Sequence, residues 1–198
     1  MVVLKMKYLW LNYCIIGMNK TNLFDEELID LIRSTNQELY SEIIQRYQAK
    51  LSHYLYKFIG SQDELNDVLQ EVFIKAFRNL YDFDTTKKFS SWLYRIAHNE
   101  AINHLKKYHR EVMSLDEGEW EVVDSKINYG EKIDSQILRE KIGKYLLQIK
   151  EKYRTPLVLY FFEEKSYEEI SDILRVPVST VGVLIMRGKK MLKNLINN

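Results

Sequence analysis

The stretch STVGVLIMRGKKMLK, residues 179–193, concentrates side chains suited to one kind of chemistry. It carries four cations and no carboxylate. A helix with such a face gains by releasing counterions from phosphates, while a carboxylate there would be repelled. Ser179 and Thr180 can meet phosphate or base edges at its start, Val183 can touch a thymine methyl, and Arg187, Lys189 and Lys190 can meet the backbone. A second group suits unpaired bases. Tyr81 and Phe83 lie in a loop before a segment with Arg95, Lys106, Lys107 and Arg110, and rings that stack on bases beside cations that hold the strand are the means of single-strand binding. A third group, Asp67, Gln70, Glu71 and Ile74, lies with Lys75 and Arg78 opposite an apolar helix stripe. Ile74 falls about 180° from Leu65 at helical spacing, and an outward isoleucine ringed by polar groups suits docking of another protein.

Other chemistry is poorly supplied. His98, His104 and His109 are spaced by six and five residues, which does not align imidazoles on one helix face, so no metal site is expected. Cys14 stands alone, excluding an internal disulfide framework and pointing to a reducing cytoplasm. No nucleophile with a matching base, no carboxylate cluster and no phosphate-cradling glycine loop is present, so neither an enzyme nor a cofactor is expected.

The elements that must position these groups read as all-α, in two small helical domains. A net charge of +1 over 198 residues hides strong segregation. Residues 1–24 read as an N-terminal extension with Met18 as the start of the chain proper. Its apolar run is interrupted by Asn12, is too short for a membrane span and is followed by no small-x-small cleavage site. Residues 25–110 contain no proline and predict four helices. The first is DEELIDLIRS. The second places Leu39, Ile43, Tyr47, Leu51, Leu55 and Phe58 inward and stops at Gly60. The third has the cleanest stripe, Leu65, Val68, Leu69, Val72, Phe73, Ala76, Phe77 and Leu80. The fourth is capped by Ser90 and turns Trp92, Leu93, Ile96, Ala97 and Leu105 inward, with Phe89 and Trp92 in the core.

Residues 111–135 hold eight acids against two lysines and read as a linker. Residues 136–198 return to helix, with Pro156 suited to a first helical turn. Ser166 and Glu169 form a capping box for a helix that buries Ile170, Ile173 and Leu174. Pro177 then forces a tight turn, and Ser179 or Thr180 caps the last helix. Its inner face is Val181, Leu184, Ile185, Gly188, Met191, Leu192 and Leu195. Two short helices joined by a tight turn, the second basic outside, make a helix-turn-helix.

DVLQEVFIKAFRNLYDF, FSSWLYRIAHNEAINHLKK and SYEEISDILRVPVSTVGVLIMRGKKML together resemble regions two and four of the extracytoplasmic-function sigma factors of bacterial RNA polymerase. The resemblance runs from about Leu39 to Leu195. It implies that Asp67, Gln70, Glu71 and Ile74 contact core polymerase, and that the loop from Tyr81 to Lys88 with the helix bearing Arg95, Asn99, Asn103, Lys106 and Lys107 holds melted promoter DNA. It further implies that the last helix reads a duplex promoter element and that an anti-sigma factor is a partner. The family usually has basic residues where this chain has Gly182 and Leu184, which shifts the expected duplex contacts toward Arg187, Lys189 and Lys190. The competing reading, an autonomous helix-turn-helix repressor or activator, predicts dimers on palindromic sites and leaves the first domain without a task.

Overall fold

The computed structural model describes residues 23–59, 61–113 and 142–197, with the side chains of 108–113 outside that description. The readings of Met18, Gly60 and most of the linker fall on residues outside it, and those of His109 and Arg110 rest on side chains outside it. Among the described residues every regular element is helical. A first bundle contains α1 (Asp25–Ser34), α2 (Tyr40–Tyr56), α3 (Gln62–Arg78) and α4 (Phe89–Met113). A second contains α5 (142–148), α6 (Glu151–Phe161), α7 (Tyr167–Leu174) and α8 (Val178–Asn197).

The helical spacing of apolar residues places the core. On α3, Leu65, Val68, Leu69, Val72, Phe73 and Ala76 are buried, and they meet Tyr40, Ile43, Tyr47, Leu51 and Leu55 of α2. Phe77 departs from the expected stripe, being 37% exposed, because the end of α3 turns it toward an open groove against the Tyr40 ring at 4.9 Å. The second helix also divides. Residues Gln37–Leu39 form a separate 3-10 turn, since the Asn36 side chain accepts the Glu38 N–H at 2.8 Å and competes with continuous helix.

Three expected helix starts shift, each for a physical reason. The fourth helix begins at Phe89, so Ser90 lies within it; the Phe89 N–H instead donates to the Glu26 carboxylate of α1 at 2.7 Å. Helix α6 begins at Glu151, with Lys150 extended, which leaves Pro156 inside the helix rather than in its first turn. Helix α8 begins at Val178, and the Thr180 N–H is bonded to the Pro177 carbonyl at 2.9 Å, so neither Ser179 nor Thr180 is the cap. The capping box at α7 does form: the Glu169 N–H donates to Ser166 Oγ at 3.2 Å and the Ser166 N–H donates to Glu169 at 2.9 Å. Arg175 then ends α7 in the left-handed conformation, with φ of 54°.

Packing of α8 on α6 requires a glycine. A Cβ at Gly188 would lie 2.7 Å from Leu157 Cδ1 and 3.0 Å from the Tyr153 carbonyl oxygen. Val181 and Ile185 fill the same interface, while Met191, expected inside, is exposed at its margin.

The two bundles share one buried core, and the loop after α6 joins them by polar contacts. The Glu163 carboxylate, 6% exposed, accepts a hydrogen bond from the Tyr94 hydroxyl of α4 and lies 3.3 Å from His53 Nδ1 on α2. Lys165 sits over the Tyr94 ring at 4.6 Å, and Arg154 over the Phe58 ring at 5.0 Å. Burial pushes the Lys165 and Arg154 pKa values down.

Candidate nucleic-acid interface

The outer surface of α3 is built by its own periodicity. Asp67 and Gln70 are exposed, and Glu71 and Ile74 are half-buried. Lys75 bridges Glu71 at 3.6 Å and Glu100 of α4 at 2.6 Å, and the Glu100 hydrogen bond holds the ammonium pKa above its usual value. Ile74 and Gln70 border an open groove of about 440 Å³ whose walls include Tyr40, Ile44, Phe73 and Phe77. Tyr40, Ile44 and Phe77 were not among the expected surface residues. Their signal is visible only when α2 and α3 are placed side by side.

The loop before α4 is held by a residue that spacing alone does not single out. Arg33, at the end of α1, donates to the Leu80 and Phe83 carbonyl oxygens, fixing the turn Leu80–Asp82. Tyr81 is left 60% exposed, its hydroxyl 3.4 Å from Gln37 Nε2. Phe83 corrects the expectation of a base-stacking ring. It is 4% exposed and wedged between Phe89 and Trp92, at centroid distances of 5.4 and 5.2 Å, so it holds the loop to the core.

Along α4, Asn99, Asn103, Lys106 and Lys107 are exposed, and Arg95 is half-buried. Helix α7 lies against the beginning of this helix. Lys88 pairs with Glu169 at 3.3 Å, and Arg95 feels Asp172 and Arg175; burial, then the Arg175 charge, lowers its pKa. His98 is enclosed by the Tyr54 hydroxyl at 3.2 Å, Glu151 at 3.6 Å and the Phe58 ring. Burial lowers its pKa, against the opposing pull of Glu151. His104 pairs with Glu64 at 3.2 Å, so both described histidines of α4 serve packing between helices. Among the described residues no cluster of metal-ligating side chains forms.

On α8, Ser179 and Val183 are exposed and Thr180 is half-buried. Lys190 is exposed, and two neighbouring cations lean back toward α6: Lys189 lies over the Phe161 ring at 4.9 Å, and Arg187 bonds to the Tyr153 hydroxyl. Their charges thus flank the outer face instead of crowning it. Met186, missing from the expected contacts, stands at its centre.

Among the described residues, no helix is long and apolar enough to cross a membrane. Comparison with known proteins agrees with the order of these surfaces. Residues 43–111 match the family Sigma-70 region 2, and residues 139–192 match Sigma-70, region 4. The chain is 33% identical to the ECF RNA polymerase sigma factor SigW of Bacillus subtilis over 83% of its length and 92% of that protein. It is 32% identical to the RNA polymerase sigma-H factor of Pseudomonas aeruginosa over 84% of this chain and 90% of that one. The fold is similar to CnrH, solved in complex with the cytosolic domain of CnrY, with a TM-score of 0.65 at 21% identity, covering 87% of this chain and 97% of that one. It is also similar to the sigma factor RpoE of Bartonella quintana, solved in complex with the anti-sigma factor NepR, with a TM-score of 0.68 at 21% identity, covering 80% and 96%. With both regions matched in order and one-third identity sustained along most of its length, the chain belongs to the extracytoplasmic-function sigma factors, the promoter-specificity subunits of bacterial RNA polymerase.

Proposed function

We propose a division of labour among the three surfaces. The groove beside Ile74, with Asp67, Gln70 and Glu71 at its rim, docks on core polymerase. Tyr81, Lys88, Arg95, Asn99, Asn103, Lys106 and Lys107 hold the melted strand, and α8 reads duplex DNA upstream. The protein works in the cytoplasm, from residues 25–110 as the docking and melting unit and 136–198 as the duplex unit, and has no active site of its own. Flipping and unstacking a base costs a few kcal/mol, which binding of the extruded base to α4 would offset without nucleotide hydrolysis.

The observation that carries this reading is the separation of surface chemistries: an open apolar groove on α3, cations and amides along α4, and cations without a carboxylate on α8. An anti-sigma factor is the expected antagonist, as the relative RpoE was solved bound to one. It would act by covering the α3 groove and the α4 face.

Run-off transcription with purified core polymerase on promoter-length fragments tests the reading. Transcripts from a discrete set of fragments, formed only when the protein is added, are expected. Ile74→Asp should abolish polymerase binding while circular dichroism stays native. Undiminished binding by a folded Ile74→Asp protein would refute the docking assignment, and duplex binding without any transcript would favour an autonomous regulator.

A further inference from the structure

The outer face of α8 has an unusual order. At about 100° per residue, Ser179, Val183, Met186 and Lys190 share its centre line. Val183 is 41% exposed and Met186 64% exposed. From Val178 to Met186 the only hydrogen-bonding side chains are Ser179 and Thr180, and no Lys, Arg, Asn or Gln occurs before Arg187. Gly182 adds no side chain beside them, and a Cβ there would meet Tyr167 at 3.4 Å. Val183 and Met186 are therefore the exposed apolar groups on this centre line.

A helix start of this composition cannot read guanine by a bidentate cation or adenine by a bidentate amide. The one apolar mark on a major-groove base edge is the thymine 5-methyl group. The cations that follow, Arg187, Lys189, Lys190 and Lys193, suit the phosphates on either side. Val183 and Met186 are separated by about 4.5 Å along the helix axis, comparable to the roughly 3.4 Å between successive bases.

We infer that α8 selects its duplex element through thymine methyl groups on adjacent base pairs, contacted by Val183 and Met186. The inference rests on the reading of α8 as the duplex-binding helix, and the test separates the two.

Holoenzyme assembled from core polymerase and the full chain is used to select upstream duplexes from a randomised library, and each thymine of the selected element is then replaced by deoxyuracil. This change removes one methyl and nothing else. At one or two positions, binding should weaken about fourfold, the effect of one buried methyl-sized group. Met186→Ala or Val183→Ala, each at an exposed position, should bind the thymine duplex more weakly and lose sensitivity to deoxyuracil at one position, with an unchanged melting temperature. If the element is selected but every deoxyuracil duplex binds as tightly as its parent, the thymine inference falls and the duplex reading of α8 stands. If no upstream element is selected at all, both fall.

Discussion

The two helices that would meet DNA differ in what lies on them. The beginning of α4 is covered by α7 and by the loop after α6, which set Glu163 against Tyr94 and His53, and Glu169 against Lys88. The outer face of α8, in contrast, exposes Ser179, Val183, Met186 and Lys190. Glu169 thus occupies Lys88, one of the cations proposed for the melted strand, while the face proposed to read duplex DNA is open. If α4 holds a melted strand as proposed, Lys88 and Arg95 reach it only after α7 moves off them, whereas Asn99, Asn103, Lys106 and Lys107 are already exposed.

The comparison can be broken from the α8 side. Gly188→Ala places a methyl group against Leu157 and the Tyr153 carbonyl, and overpacking of this kind costs about 1–3 kcal/mol. Thermal unfolding should show that loss, and duplex binding should fall while polymerase docking through Ile74 persists. A melting temperature equal to that of the parent would mean that α6 gives way at no cost.

Breaking it from the α4 side takes Glu163→Ala. Tyr94 is 1% exposed, and a buried hydroxyl left without its acceptor costs about 1–3 kcal/mol. A fluorophore pair on α4 and α8 should report a longer separation, and a non-template single strand should bind more tightly, with duplex affinity unchanged. If the separation and the single-strand affinity both stay at parental values, Glu163 does not hold the covering in place.

Acidification sharpens the same contrast. The folded-state pKa of His98 lies below its ordinary value, chiefly because of burial among Tyr54, Phe58 and Glu151. The unfolded chain therefore binds the proton more readily, so the His98 contribution is complete above about pH 6.5 and is lost as pH falls below it. Denaturant midpoints measured between pH 7.5 and about 5.5 should decline with acid, and His98→Gln should flatten the decline. An equal slope in the variant would assign the titration to another group.

The smallest effect belongs to Glu169→Gln. Its partner Lys88 is 68% exposed, and a pair of that kind contributes at most about 1 kcal/mol. Stability should change by less than that in dilute buffer and not at all in 1 M salt. A larger, salt-independent loss would show that the capping role of Glu169 toward the Ser166 N–H dominates.

Much of the fold was legible because its signals are local. The stripe of α3 repeats every three or four residues, Ser166 and Glu169 lie three apart, and the cations of α8 fall within two turns of one another. Some readings failed on local competition, as at Asn36 and Pro177, and others because a residue outside the local turn supplied what local sequence did not. Phe83 looked like a loop aromatic available to a base, yet Phe89 and Trp92 bury it. Ser90 looked like a cap, yet Glu26, 63 residues from Phe89, satisfies that N–H.

By itself, then, the sequence determined an all-α chain, a helix-turn-helix near its end and a cationic last helix, because helical periodicity and capping act between residues within a turn of one another. Only the tertiary structure decided that Arg33 clamps the loop, that Gly188 is needed where α8 meets Leu157, and that α7 covers the start of α4. Those contacts join segments far apart in the chain, where the energy depends on how whole helices pack and no short-range pattern records it.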